Sequence, residues 1–189
     1  MRRNPPKGCG NYRIGRCISS RFVYGILERN NEITFRLATE ADLPTIIEIA
    51  VAEYAAIYES IRAQLGEELF AACIGDPRKA RTEQAIYNVS TNTCYVSEMN
   101  GQTVGFIHFM YDEKSRLGMI SNNAVSSQYR GHGIGGKQYQ FVFDKLREMG
   151  AVAVTVTTGL DDAHAPARRA YEKAGFEKNT KSITYRMML

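Results

Sequence analysis

The sequence has no apolar run long enough to cross a bilayer as a helix, no cysteine pair at C-x-x-C spacing, no internal repeat and no low-complexity tract. The first absence argues against a helical membrane span. The second argues against zinc: Cys9 and Cys17 lack the spacing and have no histidine near them. Cys73 falls in a helical pattern and Cys94 at a strand start, and both are assigned to the core as small apolar residues. Nothing in the cysteines asks for an oxidising compartment, and the expected location is the cytoplasm. Residues 18–27 make the best stretch for a secretory leader, but Arg21 interrupts the apolar core that a leader needs.

What is present suits one domain with a core: 189 residues, 44% of them hydrophobic. The net charge of +4 is unevenly spread, because seven basic residues against one glutamate put residues 1–30 at +6 and leave the remainder at −2. Residues 1–30 therefore read as a basic flexible extension, with a targeting arm as the functional alternative, and residues 31–189 as the folded domain. A mildly acidic domain argues against nucleic acid as its partner.

The folded part reads in order as follows. Ile33 to Leu37 alternates as a strand, and Thr39 to Pro44 supplies capping residues and a proline tolerable in a first helical turn. Leu43, Ile46, Ile47, Ala50, Tyr54, Ile57, Tyr58 and Ile61 recur at helical spacing. Tyr54 and Tyr58 line a pocket or belong to the core, and at least one is assigned to the core. Two shorter helices follow, over residues 66–74 and on to Asn88, broken by Gly75-Asp76-Pro77. Two alternating runs flank Asn100-Gly101, the pair that a tight hairpin turn prefers because both central residues need positive φ. His108 shares a strand face with Val104 and Phe106 and is read as a buried, hydrogen-bonded histidine. A central strand runs to Val125, a helix from Lys137 to Met149, a strand from Ala151 to Thr158 and a helix from His164 to Ala174; Phe176 then opens a final pair of strands, with Ile183, Tyr185 and Met187 alternating in the last.

The most informative stretch lies between the central strand and its helix: Gln128-Tyr129-Arg130-Gly131-His132-Gly133-Ile134-Gly135-Gly136. A glycine-rich turn there aims backbone N–H groups at one place, where the helix dipole also favours negative charge. It reads as a phosphate or pyrophosphate site, with Arg130 a fixed positive charge at its edge. Three motifs overlap on it. Gly131-x-Gly133-x-x-Gly136 satisfies a dinucleotide fingerprint, but Ser126 to Arg130 separate it from the strand, and only one strand-helix-strand unit follows. Gly131 to Lys137 satisfies most of a P-loop, but Gln138 stands where a serine or threonine must hold magnesium. The third is Gln128-x-x-Gly131-x-Gly133.

That third pattern resembles the acyl-CoA-binding turn of the GNAT superfamily of N-acetyltransferases, and the resemblance runs from about Ile33 to Leu189. Asn123-Ala124-Val125, ending six residues before Gly131, resembles the strand end that pairs with pantetheine in that family. Tyr171-Glu172-Lys173-Ala174-Gly175-Phe176 keeps the spacing of its closing signature, a tyrosine four residues ahead of Gly-Phe. The resemblance implies an α/β fold of the mixed α+β kind: a mostly antiparallel central sheet, splayed at the cofactor site and flanked by helices. It implies transfer of an acetyl group from acetyl-CoA to a primary amine of a small molecule or protein, by direct attack and with no metal. The backbone of Asn123, Ala124 and Val125 would hold the pantetheine arm; Arg130, Gly131, His132, Gly133, Ile134, Gly135 and Gly136 the diphosphate. Tyr171 would protonate the leaving thiolate. His164, standing where the family often has asparagine, would contact the arm or cap its helix.

The sequence departs from the family in two places. Gln138 takes an often apolar position, which implies looser packing or a surface turn. The central strands offer Ser121, Asn122, Asn123, Thr155 and Thr157 but no carboxylate to take the amine's proton. Asp161, Asp162, Glu98 and Asp112 near strand ends, or a water on Asn122 or Asn123, are the alternatives. The missing base motivates a second function, a non-catalytic acyl-CoA-binding module, with a nucleotide-binding protein third. Arg168 and Arg169 read as a solvated face. Glu48, Glu53, Glu59, Glu67 and Glu68 are solvated or draw a cationic acceptor. Oligomeric state stays open, a homodimer included.

Overall fold

Five strands lie in chain order across one sheet in the computed structural model, which describes residues 32–189. The basic extension, with Cys9 and Cys17, lies outside the described residues. β1 (Ile33–Leu37), β2 (Cys94–Met99), β3 (Gln102–Asp112) and β4 (Leu117–Val125) are joined antiparallel, and β5 (Ala153–Val156) runs parallel to β4. The β2–β3 hairpin turns on Asn100 and Gly101, both at positive φ (54° and 76°), as the dipeptide requires. Among the described residues the sheet is thus mixed, mostly antiparallel and open rather than closed.

Helices cover both faces because the strands alternate. On one face, α1 (Leu43–Leu65) and α3 (Pro77–Ser90) bury Ile46, Ile49, Ala50 and Ala85 against Val96, Phe106 and Ala124. On the other, α4 (Ile134–Glu148) buries Tyr139, Val142 and Leu146 against Ile107, Phe109 and Ile120. α5 (Ala165–Lys173) adds Ala170 and Tyr171 to that second cluster. The short α2 (Glu67–Cys73) sits beside α1. The entry to α1 is clamped by Asp42, whose carboxylate takes two bonds from Arg36 (2.7 and 2.8 Å) and two from the N–H and hydroxyl of Thr39. The Arg36 guanidinium holds this carboxyl down at about 2, against the upward push of its burial. No described helix is long and apolar enough to cross a membrane.

The structure corrects three expectations. Residues 174–189 form no strand, and Ile183, Tyr185 and Met187 are exposed. Alternation marks a face but supplies no hydrogen-bonding partner, and the intended partner, Phe176-Glu177-Lys178-Asn179, has a single apolar residue. Cys73 is exposed, since α2 buries only Phe70. Gln138 is fully buried rather than at a surface turn: its Nε2 lies 2.9 Å from Ser97 Oγ, 3.1 Å from the Phe106 carbonyl and 3.3 Å from the Ala124 carbonyl.

Candidate active site

β4 and β5 are paired only from Leu117 to Ile120 and from Ala153 to Val156. Beyond Ile120, β4 runs on through Ser121 to Val125 with β3 beside it and no β5 partner. The two strands therefore part toward their C-terminal ends. Ser126 N–H bonds to the Val104 carbonyl on the β3 side. By antiparallel alternation, the backbone groups of Asn123 and Val125 face away from β3, into the opening. The Tyr54 hydroxyl, reaching from α1, donates to the Asn123 carbonyl there at 3.3 Å. Ala124 is buried in the core, and Asn123 and Val125 are half-buried.

The glycine turn follows at the same end of β4. Gly131 (φ 85°) and Gly133 (φ 73°) take left-handed conformations that a side chain disfavours, and Gly133 is the N-cap of α4. The first bond inside the helix runs from Lys137 N–H to the Gly133 carbonyl, so the N–H groups of Ile134, Gly135 and Gly136 have no helical acceptor. A Cβ built on Gly131, Gly133, Gly135 or Gly136 would meet nothing within 4 Å, so the space over these amides is open. Amides without helical acceptors, a 15-residue helix's positive end and open space above them fit a diphosphate. Ile134 is buried with Met99 and Val104 and pins the turn to the sheet. His132 braces it, with Nδ1 3.2 Å from the carbonyls of Tyr129 and Arg130. Arg130 does not stand as a free charge, because it pairs with Glu53 of α1, which also accepts the Ser127 N–H at 2.7 Å.

Tyr171 reaches the opening from α5. Its ring lies 5.6 Å from that of Tyr139 and 5.9 Å from that of Phe176. Tyr139 accepts a bond from Asn123 Nδ2 at 3.1 Å, which ties β4 to the phenols. Burial, together with the neighbouring hydroxyls of Tyr139 and Tyr54, pushes the Tyr171 phenol well above its ordinary range, so it keeps its proton throughout neutral pH. The sequence did not single out Tyr139: on an amphipathic helix its spacing is that of any core residue.

Past β5, Asp161 caps the turn Asp162–His164, and its carboxylate oxygens both lie 2.9 Å from His164 Nδ1. Despite the upward push of burial, these contacts with His164 hold Asp161 below the ordinary carboxylate range. With Nδ1 spent on the carboxylate, Nε2 is the ring atom left to act. Arg168, expected on a solvated face, instead donates to the carbonyls of Gly159 and Asp161 at 2.7 Å and fixes this loop. Two of the carboxylates weighed as bases are engaged elsewhere: Glu98 with Arg36, and Asp112 with Ser115 and the Lys114 N–H at the far end of β4. Of the glutamates read as solvated or as drawing a cationic acceptor, four pair with arginines: Glu48 with Arg78, Glu53 with Arg130, Glu59 and Glu67 with Arg62. Among the described residues, no group of three histidine, cysteine or acidic side chains stands close enough to hold a metal ion. A groove of about 370 Å³ lies elsewhere, lined by Gln140, Leu146, Ala153 and Phe176, and contains neither the glycine turn nor residues 121–125.

The family model described as the acetyltransferase (GNAT) family matches residues 54–176. No curated protein sequence matches the chain. Among solved structures, the chain is similar to the PaiA N-acetyltransferase of Thermoplasma acidophilum in complex with coenzyme A, at 16% identity and a TM-score of 0.58, over 80% of this chain and 93% of that one. It is similar to a transcriptional regulator of Bacillus halodurans at 18% identity and a TM-score of 0.56, over 82% of this chain and 100% of that one. It is also similar to a predicted acetyltransferase of Clostridium acetobutylicum bound to acetyl-CoA, at 16% identity and a TM-score of 0.53, over 82% and 96%. At these identities the likeness is one of fold.

Proposed function

The chain belongs to the GNAT family of acetyltransferases, and from that premise we propose that it is a cytoplasmic N-acetyltransferase moving an acetyl group from acetyl-CoA to a primary amine. The catalytic domain of this reading is residues 31–189, with residues 1–30 a basic extension before it. The observation that carries it is one opening with two ends: helix amides without helical acceptors at Ile134, Gly135 and Gly136, and a buried, protonated phenol at Tyr171. Two similar structures, solved with coenzyme A and with acetyl-CoA, support the choice of donor.

Acetyl-CoA supplies a thioester carbonyl open to attack. The amides from Gly131 to Gly136 hold its diphosphate, and the outward backbone of Asn123 and Val125 holds its arm as a neighbouring strand would. The amine must be neutral to react, and a free primary amine of pKa about 10.4 is mostly charged near neutrality. His164 Nε2, held by Asp161, or water on Asn122, takes the proton. Nitrogen bonds to the carbonyl carbon, the carbon–sulfur bond breaks with its electron pair on sulfur, the Tyr171 hydroxyl gives that sulfur a proton, and the second proton that the acetylated nitrogen sheds returns through water to restore the phenol.

Thiol release from acetyl-CoA across a panel of amines tests the reading, with Tyr171→Phe beside the wild type. Turnover falling about 100-fold in the variant, with acetyl-CoA affinity retained, is the expected result. Equal turnover removes the role of Tyr171. Tight acetyl-CoA binding with no turnover on any amine favours the acyl-CoA-binding module instead.

A further inference from the structure

Most arginines of the described residues have partners, whether carboxylates or, for Arg116 and Arg168, backbone carbonyls, and Arg81 near the opening is left short of both. Arg36, Arg62, Arg78, Arg130 and Arg147 each meet a carboxylate. Arg81, on α3, meets none among the described residues, although it is half-buried. Its guanidinium carbon lies 4.8 Å from the centre of the Tyr54 ring and 5.5 Å from that of Tyr58. Nη1 reaches Asn122 Oδ1 at 3.4 Å, at the long limit of a hydrogen bond, and Nε is out of solvent with no partner.

Two aromatic faces offset part of the expense of holding a cation out of water, but they satisfy none of its five N–H groups. A buried donor without a partner asks for an explanation, and an arginine fork has one preferred complement, a planar bidentate anion. Its position says where that anion would come from. Asn122 stands two residues past Ile120, the last residue of β4 paired to β5, and so at the opening. Asn122 faces Arg81 on the α1–α3 side, while Asn123 faces Tyr139 on the α4 side. Asn122, which Arg81 reaches on β4, is neutral and donates to the neutral Ser121, and the Tyr54 hydroxyl is already given to Asn123. A site built for a polycation would hold carboxylates here; among the described residues this one holds a cation without an anion.

We propose that the acceptor is a small amine carrying a carboxylate, an amino acid or close relative, and that Arg81 binds that carboxylate while the amine nitrogen enters the opening. This rests on the N-acetyltransferase reading and narrows its substrate class.

The test sets amino acids (alanine, leucine, phenylalanine, glutamate) against their α-carboxamides and cadaverine, following thiol release from acetyl-CoA by wild type, Arg81→Gln and Arg81→Lys. A binding arm needs no chemistry: calorimetry of N-acetylalanine and N-acetylalaninamide with each CoA-loaded protein, folding being checked by circular dichroism. Acids preferred over carboxamides are expected, with Arg81→Gln lowering kcat/KM for acids about 10- to 100-fold, mainly through KM, and leaving carboxamides unchanged. Arg81→Lys recovers part of the loss, which also covers a poorly folded glutamine variant. Carboxamides or cadaverine used as well as acids, or an equal loss on both in Arg81→Gln, overturns the proposal while leaving the N-acetyltransferase intact. N-acetylalanine bound through Arg81 in a protein that acetylates no amine supports the anion site and removes the catalytic reading. A protein that neither turns over acids nor binds N-acetylalanine overturns the proposal.

Discussion

His108 carries a pH dependence that the proposed chemistry does not use. It sits fully buried on β3, with Nε2 3.0 Å from Thr91 Oγ1 and Nδ1 without a partner. Burial pushes its pKa down to about 4, below the ordinary histidine value near 6.5. In this pH interval the unfolded chain binds the proton and the folded chain refuses it, so stability declines as pH falls from about 6.5 to about 4 and this contribution is flat above and below. The loss is on the order of 2 kcal/mol. Urea denaturation between pH 7.5 and 4.5 should show the midpoint falling in wild type and falling less in His108→Gln; parallel slopes would refute it. That a histidine in an apolar alternation is buried was readable from its neighbours. The depth of Gln138 was not, because no local pattern reveals that the strand carbonyls of Phe106 and Ala124 lie under the start of α4. Nor did any spacing pair Arg130 with Glu53, 77 residues away.

Elements were most legible where a short stretch fixes its own backbone. The Asn100-Gly101 hairpin, the glycines closing α4 and α5 and the glycine turn opening α4 are all local devices, and each lies where the sequence put it. The strands read after Phe176 failed because a strand exists only with a partner, which periodicity does not name. The distinction sorts the glycines by consequence. Gly133→Ala introduces a side chain into open space at a left-handed N-cap, so its effect on stability is about 1 kcal/mol, and its main effect is weaker acetyl-CoA binding. Gly105→Ala places a Cβ 2.6 Å from the Ala124 carbonyl oxygen, backbone against backbone between β3 and β4. That variant should lose more than about 3 kcal/mol and express poorly. Thermal melting of both separates a turn glycine from a packing glycine, and equal melting temperatures would contradict the assignment.

Across the whole molecule, the order of elements was legible and the division of labour between the two faces of the sheet was not. One face, under α1 and α3, carries Arg81 and Asn122; the other, under α4 and α5, carries Tyr139 and Tyr171. Asn122 and Asn123 look like a duplicated residue in sequence, yet the pleat sends them to opposite sides.

The parting of β4 from β5 leaves a ladder with rungs missing inside the molecule rather than at its rim. Whatever lies there becomes a member of the sheet, and its departure loosens the scaffold that holds it. Acetyl-CoA at 100 times its dissociation constant should therefore raise the unfolding free energy by about 2.7 kcal/mol. The gain should be visible as slowed deuterium uptake at the amides of Asn123 and Val125 as well as in the glycine turn. Slowing confined to the turn would mean that the arm leaves the sheet unrepaired. If the slowing reaches the strand, the donor acts as a removable keystone, and each round of turnover opens and recloses the middle of the fold.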